Sequence, residues 1–284
     1  MSIETGEKKT VKKAILVVSF GTTYLETLRL TIESIENKIK DRLPEYEVRR
    51  AFTSRFVIKK LASRDGIQID TEQQALEKLH AEGYSEVYIQ PLHVVAGEEY
   101  DKVKRLVAHY AHAGMFDRLK LGRPLLYYMG QEDQPDDYLA AIQAVTAELP
   151  KLGNEDAVVF MGHGGHHPAN AAYAALQLKF EQAGFHRTFV YTVEGFPALE
   201  HVIEKLNGNQ VKKVLLIPFM LVAGDHVQND MAGLDDDSAK SQLQKAGLHV
   251  EVYLRGLGEN SLIQELYVQH LQDAISQPSG HKQH

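Results

Sequence analysis

The chain has no cysteine. Disulfides, thiolate metal sites, iron–sulfur clusters and a cysteine nucleophile are therefore excluded. Positive charge is also in short supply: 31 Lys and Arg against 38 Asp and Glu give a formal net charge of −7 with histidine neutral. Non-specific nucleic-acid binding needs clustered cationic charge, so no nucleic-acid partner is expected. No apolar run approaches the roughly 18–20 residues that cross a bilayer, so no membrane partner is expected either. The N-terminal stretch MSIETGEKKTVKKAILVV puts its charges before a short apolar run, with no small-residue cleavage site after it. A cytoplasmic protein is the expectation. GxSxG, Walker A and HExxH patterns are missing, and GTTYLET (21–27) lacks the GxGxxG spacing of a dinucleotide site.

Apolar residues and histidines are plentiful. With 44% hydrophobic residues in 284, the chain can bury a sizeable core. It holds 14 histidines, two of them in the C-terminal SGHKQH, which carry no functional weight. AILVVSF (14–20), EVRRAFT (47–53), SEVYIQPL (85–92) and part of DRLKLGRPLL (117–126) read as strands. Helices are predicted between them over 21–43, 54–63, 70–83 (capped by Asp70) and 98–113. In the first of these, Leu28, Ile32, Ile35 and Ile39 keep helical spacing. The alternation then restarts, with strands at 157–162, 188–193, 212–221 and 248–254 and helices at 136–149, 168–184, 196–208, 238–247 and 260–275. Strands alternating with helices imply right-handed crossovers and parallel sheets.

The two halves resemble each other. EVYIQPLHVVAGEEY (86–100) aligns with KVLLIPFMLVAGDHV (213–227) at an offset of 127, and AILVVSFGTT (14–23) with AVVFMGHGGH (157–166) at an offset of 143. The expected fold is therefore α/β: two similar Rossmann-like lobes, each a parallel sheet flanked by helices, with an active-site cleft between them. The lobes are placed at 1–130 and 131–284, with the last helix, about 260–275, free to pack back on the N-terminal lobe. In such sheets ligands bind beyond the carboxyl ends of the strands. Those ends carry SFGTT, LHVVAGEE, GHGGHH, VEGF and LVAGDH.

FMGHGGHHPANAAY (160–173) places three histidines in five positions. A strand-to-helix turn with exposed histidines is one reading. His226, beyond the strand KVLLIPFML, favours another, because two histidines from neighbouring strand ends can converge on one metal. Glu194 follows the run YTV and either caps a helix or joins them. His163, His226 and Glu194 form a borderline N/O donor set with room for an open position. By the internal alignment Glu99 takes the place of His226 and faces the cleft from the other lobe, although an acid there also suits a helix N-terminus. His93 takes the place of Met220, as a structural or a functional residue. RRAFTSRFVIKK (49–60) and Arg64 form a basic patch, either a solvated helix face or a site that grips carboxylates.

LVVSFGTT, RAFTS, RDGIQIDT, LHVVAGEEY, VFMGHG, VE and MLVAGDHVQNDMA, in this order from about residue 12 to about 275, resemble the anaerobic cobalt chelatases of the CbiK type, class II tetrapyrrole chelatases. The resemblance implies insertion of Co(II) into sirohydrochlorin during anaerobic cobalamin synthesis. Co(II) is then the substrate metal, with Fe(II), Ni(II) or Zn(II) as substitutes, and no organic cofactor is expected. It also implies that His163 and His226 hold the metal with Glu194, and that His163, Glu194 and Glu99 are the catalytic groups. Ser19, Arg55, His93 and Gly164 are assigned to substrate binding, the basic patch compensating a polycarboxylate. A homo-oligomer fits the same reading. The alternatives are a non-enzymatic metal or tetrapyrrole carrier on this fold, and an unrelated metal-dependent hydrolase using His163, His226 and Glu194.

Overall fold

The computed structural model describes residues 11–277. The readings made of the first ten residues and of SGHKQH lie outside them. The N-terminal half builds a parallel sheet from β1 (Lys13–Ser19), β2 (Glu47–Phe52), β3 (Asp70–Thr71), β4 (Glu86–Pro91) and β5 (Arg118–Leu121), in the order β3-β2-β1-β4-β5. The C-terminal half builds a second from β6 (Asp156–Gly162), β7 (Thr188–Thr192), β8 (Lys213–Pro218) and β9 (His249–Val252), in the order β7-β6-β8-β9. Without the two-residue β3, the two orders are the same. The repeat extends to the backbone beyond the strands. Leu92 N donates to Val18 O at 2.7 Å in one lobe, and Phe219 N to Met161 O at 2.7 Å in the other.

The helices are α1 (Leu25–Leu30), α2 (Ile32–Arg42), α3 (Arg55–Asp65), α4 (Glu72–Ala81), α5 (Glu98–His112), α6 (Asp137–Thr146), α7 (Ala171–Gln182), α8 (Leu199–Gly208), α9 (Ala239–Lys245) and α10 (Ser261–Ser276). The single helix expected over 21–43 is two. Thr31 leaves the helical region at φ −113, ψ −82, and its hydroxyl donates to the Thr27 carbonyl at 2.5 Å. A threonine hydroxyl that bonds the preceding turn offers the backbone an alternative to the helical ladder. The hydrophobic spacing runs straight through this break and hides it. Thr71, not Asp70, caps α4, through a reciprocal capping box with Gln74. Asp70 instead pairs with Lys78 at 2.7 Å.

Both central strands are buried on both faces, as continuous apolar runs require. Along β1, Ile15 and Val17 face one cluster, while Ala14, Leu16 and Val18 face another that holds Leu76 and Leu79 of α4 and Val103 and Val107 of α5. Along β6, Val158 and Phe160 join the Ile15 and Val17 cluster, while Ala157, Val159 and Met161 face the core under α8 and α9. One apolar core therefore spans both sheets, filled by residues of α2, α6, α7 and α10. Helix α10 packs on α2, β4 and β5 of the N-terminal sheet and on α6.

Candidate metal centre

β6 leaves its sheet at Gly162, where a Cβ would sit 2.2 Å from the Tyr173 ring. Gly164 then takes φ 80, and a Cβ there would sit 2.7 Å from Thr192 Cβ and 2.8 Å from Gly195 N. Only glycine tolerates that turn against the neighbouring strand end. The turn leaves the His163 side chain 48% exposed. The carbonyl of His163 accepts from Glu194 N at 2.9 Å, which ties the end of β7 to the end of β6. His226 follows the loop after β8, in helical conformation at the head of a short π-helical turn, Val227–Met231.

These segments bring His163, Glu194 and His226 together, with one donor atom from each lying within 4.8 Å of the others. The two imidazole centroids are 4.7 Å apart and their planes cross at 82°. His163 Nδ1 lies 3.0 Å from Gly164 O and 3.9 Å from Glu194 Oε2. His226 Nδ1 lies 2.6 Å from Asp230 Oδ2. All three side chains are open to solvent, between 36% and 54% exposed. Two imidazoles and a carboxylate suit a divalent ion of borderline hardness. Three donors leave coordination positions free, as chemistry at the metal requires.

The N-terminal lobe contributes differently. Glu99 lies in the first turn of α5 and pairs with Lys102 at 2.6 Å. Burial pushes its carboxyl up, but the Lys102 ammonium and the neighbouring Thr53 hydroxyl outweigh this and hold it below the usual carboxylate value. His93 follows β4, and burial pushes its pKa down to about 4, so the ring is neutral. Both His93 ring nitrogens, and Ser19 Oγ at the end of β1, are buried without a hydrogen-bond partner among the described residues. Ser19 is only 1% exposed. Arg55 is exposed at the start of α3.

The basic patch is smaller than the sequence suggests. Arg49 is held by Glu47 and Glu82, Arg50 by Glu33 and Glu36, and Arg64 by Asp65. Of the patch, Arg55, Lys59 and Lys60 make no ion pair among the described residues. His166 is exposed, while His167 accepts from Ala169 N at 3.1 Å and reaches Asp101 of α5 at 3.3 Å. The Tyr24 hydroxyl donates to Asp225 at 3.1 Å. These two contacts bridge the lobes close in sequence to His163 and His226. Asp230 went unread in the sequence, although its spacing of four from His226 was a signal for a neighbour on a helical turn.

The family described as cobalt chelatase (CbiK) matches residues 13–276. The chain belongs to the cobalt chelatase (CbiK) family. The chelatase is 44% identical over 266 residues to the sirohydrochlorin cobaltochelatase of Salmonella typhimurium, covering 94% of this chain and 97% of that protein. It is 34% identical over 269 residues to sirohydrochlorin cobaltochelatase CbiKC of Nitratidesulfovibrio vulgaris, covering 93% and 91%. Among solved structures it shares its fold with SirB from Bacillus subtilis with Fe3+ (TM-score 0.62, 12% identity, 94% and 96% covered). CbiX, the terminal enzyme of sirohaem synthesis in denitrifying bacteria, has the same fold (TM-score 0.51, 18% identity, 93% and 100% covered).

Proposed function

We propose that this chelatase inserts Co(II) into sirohydrochlorin, releasing two pyrrole protons, in anaerobic cobalamin biosynthesis. The convergence of His163, Glu194 and His226 on one solvent-open point carries the reading. The metal is the substrate. Neutral imidazoles and one carboxylate hold it without the grip of thiolates, so it can pass on to the four ring nitrogens. Two N–H bonds break as the metal–nitrogen bonds form, and the two protons leave with no change of oxidation state. His163 and Glu194, at the metal, and Glu99, across the cleft, are the acceptors in this proposal. Glu99 is ionised near neutral pH, so it also offers negative charge where protons depart.

Arg55 answers a substrate carboxylate from the rim. Ser19 and His93 are assigned to the substrate side on the strength of their buried, unpartnered polar atoms at the ends of β1 and β4. Gly164 is assigned to the substrate side through the tight turn that it allows beside His163. Use of Fe(II), Ni(II) or Zn(II) in place of Co(II), and a cytoplasmic location, belong to the same proposal. No described helix is long and apolar enough to cross a membrane.

The test is incubation with sirohydrochlorin and Co(II), followed by the visible spectrum of the macrocycle. Turnover is expected, with His163→Ala and His226→Ala each slowing it by orders of magnitude. Stoichiometric binding without turnover, or wild-type rates in both variants, would overturn the proposal. A matrix of Co(II), Fe(II), Ni(II) and Zn(II) against sirohydrochlorin and protoporphyrin then fixes the preferred pair.

A further inference from the structure

The two metal-ligating histidines are held from behind in different ways. His163 Nδ1 meets a backbone carbonyl, Gly164 O, at 3.0 Å. His226 Nδ1 meets a carboxylate, Asp230 Oδ2, at 2.6 Å. An ionised carboxylate only accepts, so Nδ1 of His226 carries the hydrogen and Nε2 keeps its lone pair. We infer that Asp230 is a positioning residue for the metal substrate: it locks the His226 tautomer, fixes the ring plane and makes Nε2 a stronger donor. This inference rests on the metal-centre reading above.

The local backbone builds the pair. Residues four apart already neighbour each other on an α-helix. Here the turn is widened to π form, and Ala232 N donates to Val227 O at 3.2 Å. Such wide turns concentrate at functional sites. Gly233 closes the turn, and a Cβ there would fall 2.2 Å from Asn229 O. A buried phenol lies within electrostatic reach of the same carboxylate. Tyr191, at the end of β7, has a buried hydroxyl with no hydrogen-bond partner among the described residues. Burial first, and then the Asp230 charge, push that phenol up, so it stays protonated. Carboxylates behind metal-ligating histidines orient the ring and raise its basicity. The plain alternative is an exposed His–Asp pair on a surface turn, which contributes little to stability and nothing to metal binding.

Co(II) alone is titrated into the full-length protein, without tetrapyrrole, and binding is read from the visible d–d absorption. Wild type, Asp230→Ala, Asp230→Asn and His226→Ala are compared, each with its thermal unfolding curve. Asp230→Ala is expected to weaken Co(II) binding by about 10- to 100-fold. Asp230→Asn keeps an acceptor but loses the charge, and is expected to lose about 3- to 10-fold with an unchanged unfolding curve. Wild-type Co(II) affinity in both Asp230 variants, alongside a large loss in His226→Ala, would overturn this inference alone. Wild-type affinity in His226→Ala would overturn the metal-centre reading and the inference with it. If Asp230→Ala does not fold, the near-isosteric Asp230→Asn decides.

Discussion

In the C-terminal lobe His163 and Glu194 lie within two residues of the ends of β6 and β7, and His226 lies beyond the loop that follows β8. The strand registers set Ser19 beside Phe52 in one lobe and Gly162 beside Thr192 in the other. On that correspondence the N-terminal lobe carries Phe20, Ser54 and Glu99 at the same three places. The backbones agree in detail. Ser54 N donates to Phe20 O at 3.3 Å, and Glu194 N to His163 O at 2.9 Å. Gly21 and Gly164 both take positive φ, at 91 and 80, and both press on the neighbouring strand end, Phe52 in one case and Thr192 in the other. The side chains divide the work. In the proposed function one lobe offers three metal donors. The other offers an aromatic ring that is 52% exposed, a helix-capping serine and a carboxylate. A duplicated frame can carry different side chains at matching places because residues at strand ends change without disturbing the strands.

That division can be broken from either side. Removing a donor from the C-terminal lobe, by His163→Ala or His226→Ala, is expected to cut kcat/KM by about 10³-fold. Co(II) binding measured without tetrapyrrole should fall as well. Glu99→Gln, on the other lobe, is expected to lower kcat by about 10²-fold while leaving Co(II) affinity at the wild-type value. Equal losses of metal affinity in Glu99→Gln and His226→Ala would erase the distinction between the lobes.

His93 supplies a test by stability. Its folded pKa of about 4 lies below the ordinary histidine value of 6.5. Between those values the unfolded chain binds a proton that the folded chain refuses. Stability therefore falls as pH drops from about 6.5 to about 4, by up to about 3 kcal/mol from this group. Denaturant titrations at several pH values should show a smaller fall in His93→Gln than in wild type. The smallest effect is expected from Arg55→Ala. It should raise KM for a polycarboxylate tetrapyrrole by about 2- to 5-fold, less at high salt, with kcat unchanged.

Much of this was legible in the sequence, for physical reasons. The grouping of His163, Glu194 and His226 could be read because each follows an apolar strand and because the halves align with each other. Strands buried on both faces write themselves as unbroken apolar runs, which is why the sheets were visible. The basic patch misled because the partners of Arg49 and Arg50 include Glu82 and Glu36, distant in sequence and adjacent only after folding. The burial of Ser19 and His93 was hidden for a similar reason. Inward and outward alternation stops being informative where a strand ends. Asp230 keeps a spacing of four from His226, but the turn that joins them is a short π-helical one outside any apolar repeat. Thr31 breaks a helix whose apolar spacing continues across the gap.

The most direct measurement is anomalous diffraction at the cobalt edge from crystals of the full-length protein soaked in Co(II). One strong peak is expected at about 2.0–2.2 Å from a nitrogen of His163, a nitrogen of His226 and an oxygen of Glu194. A peak on the Glu99 side of the cleft, with none between these three residues, would contradict the assignment of the metal to the C-terminal lobe.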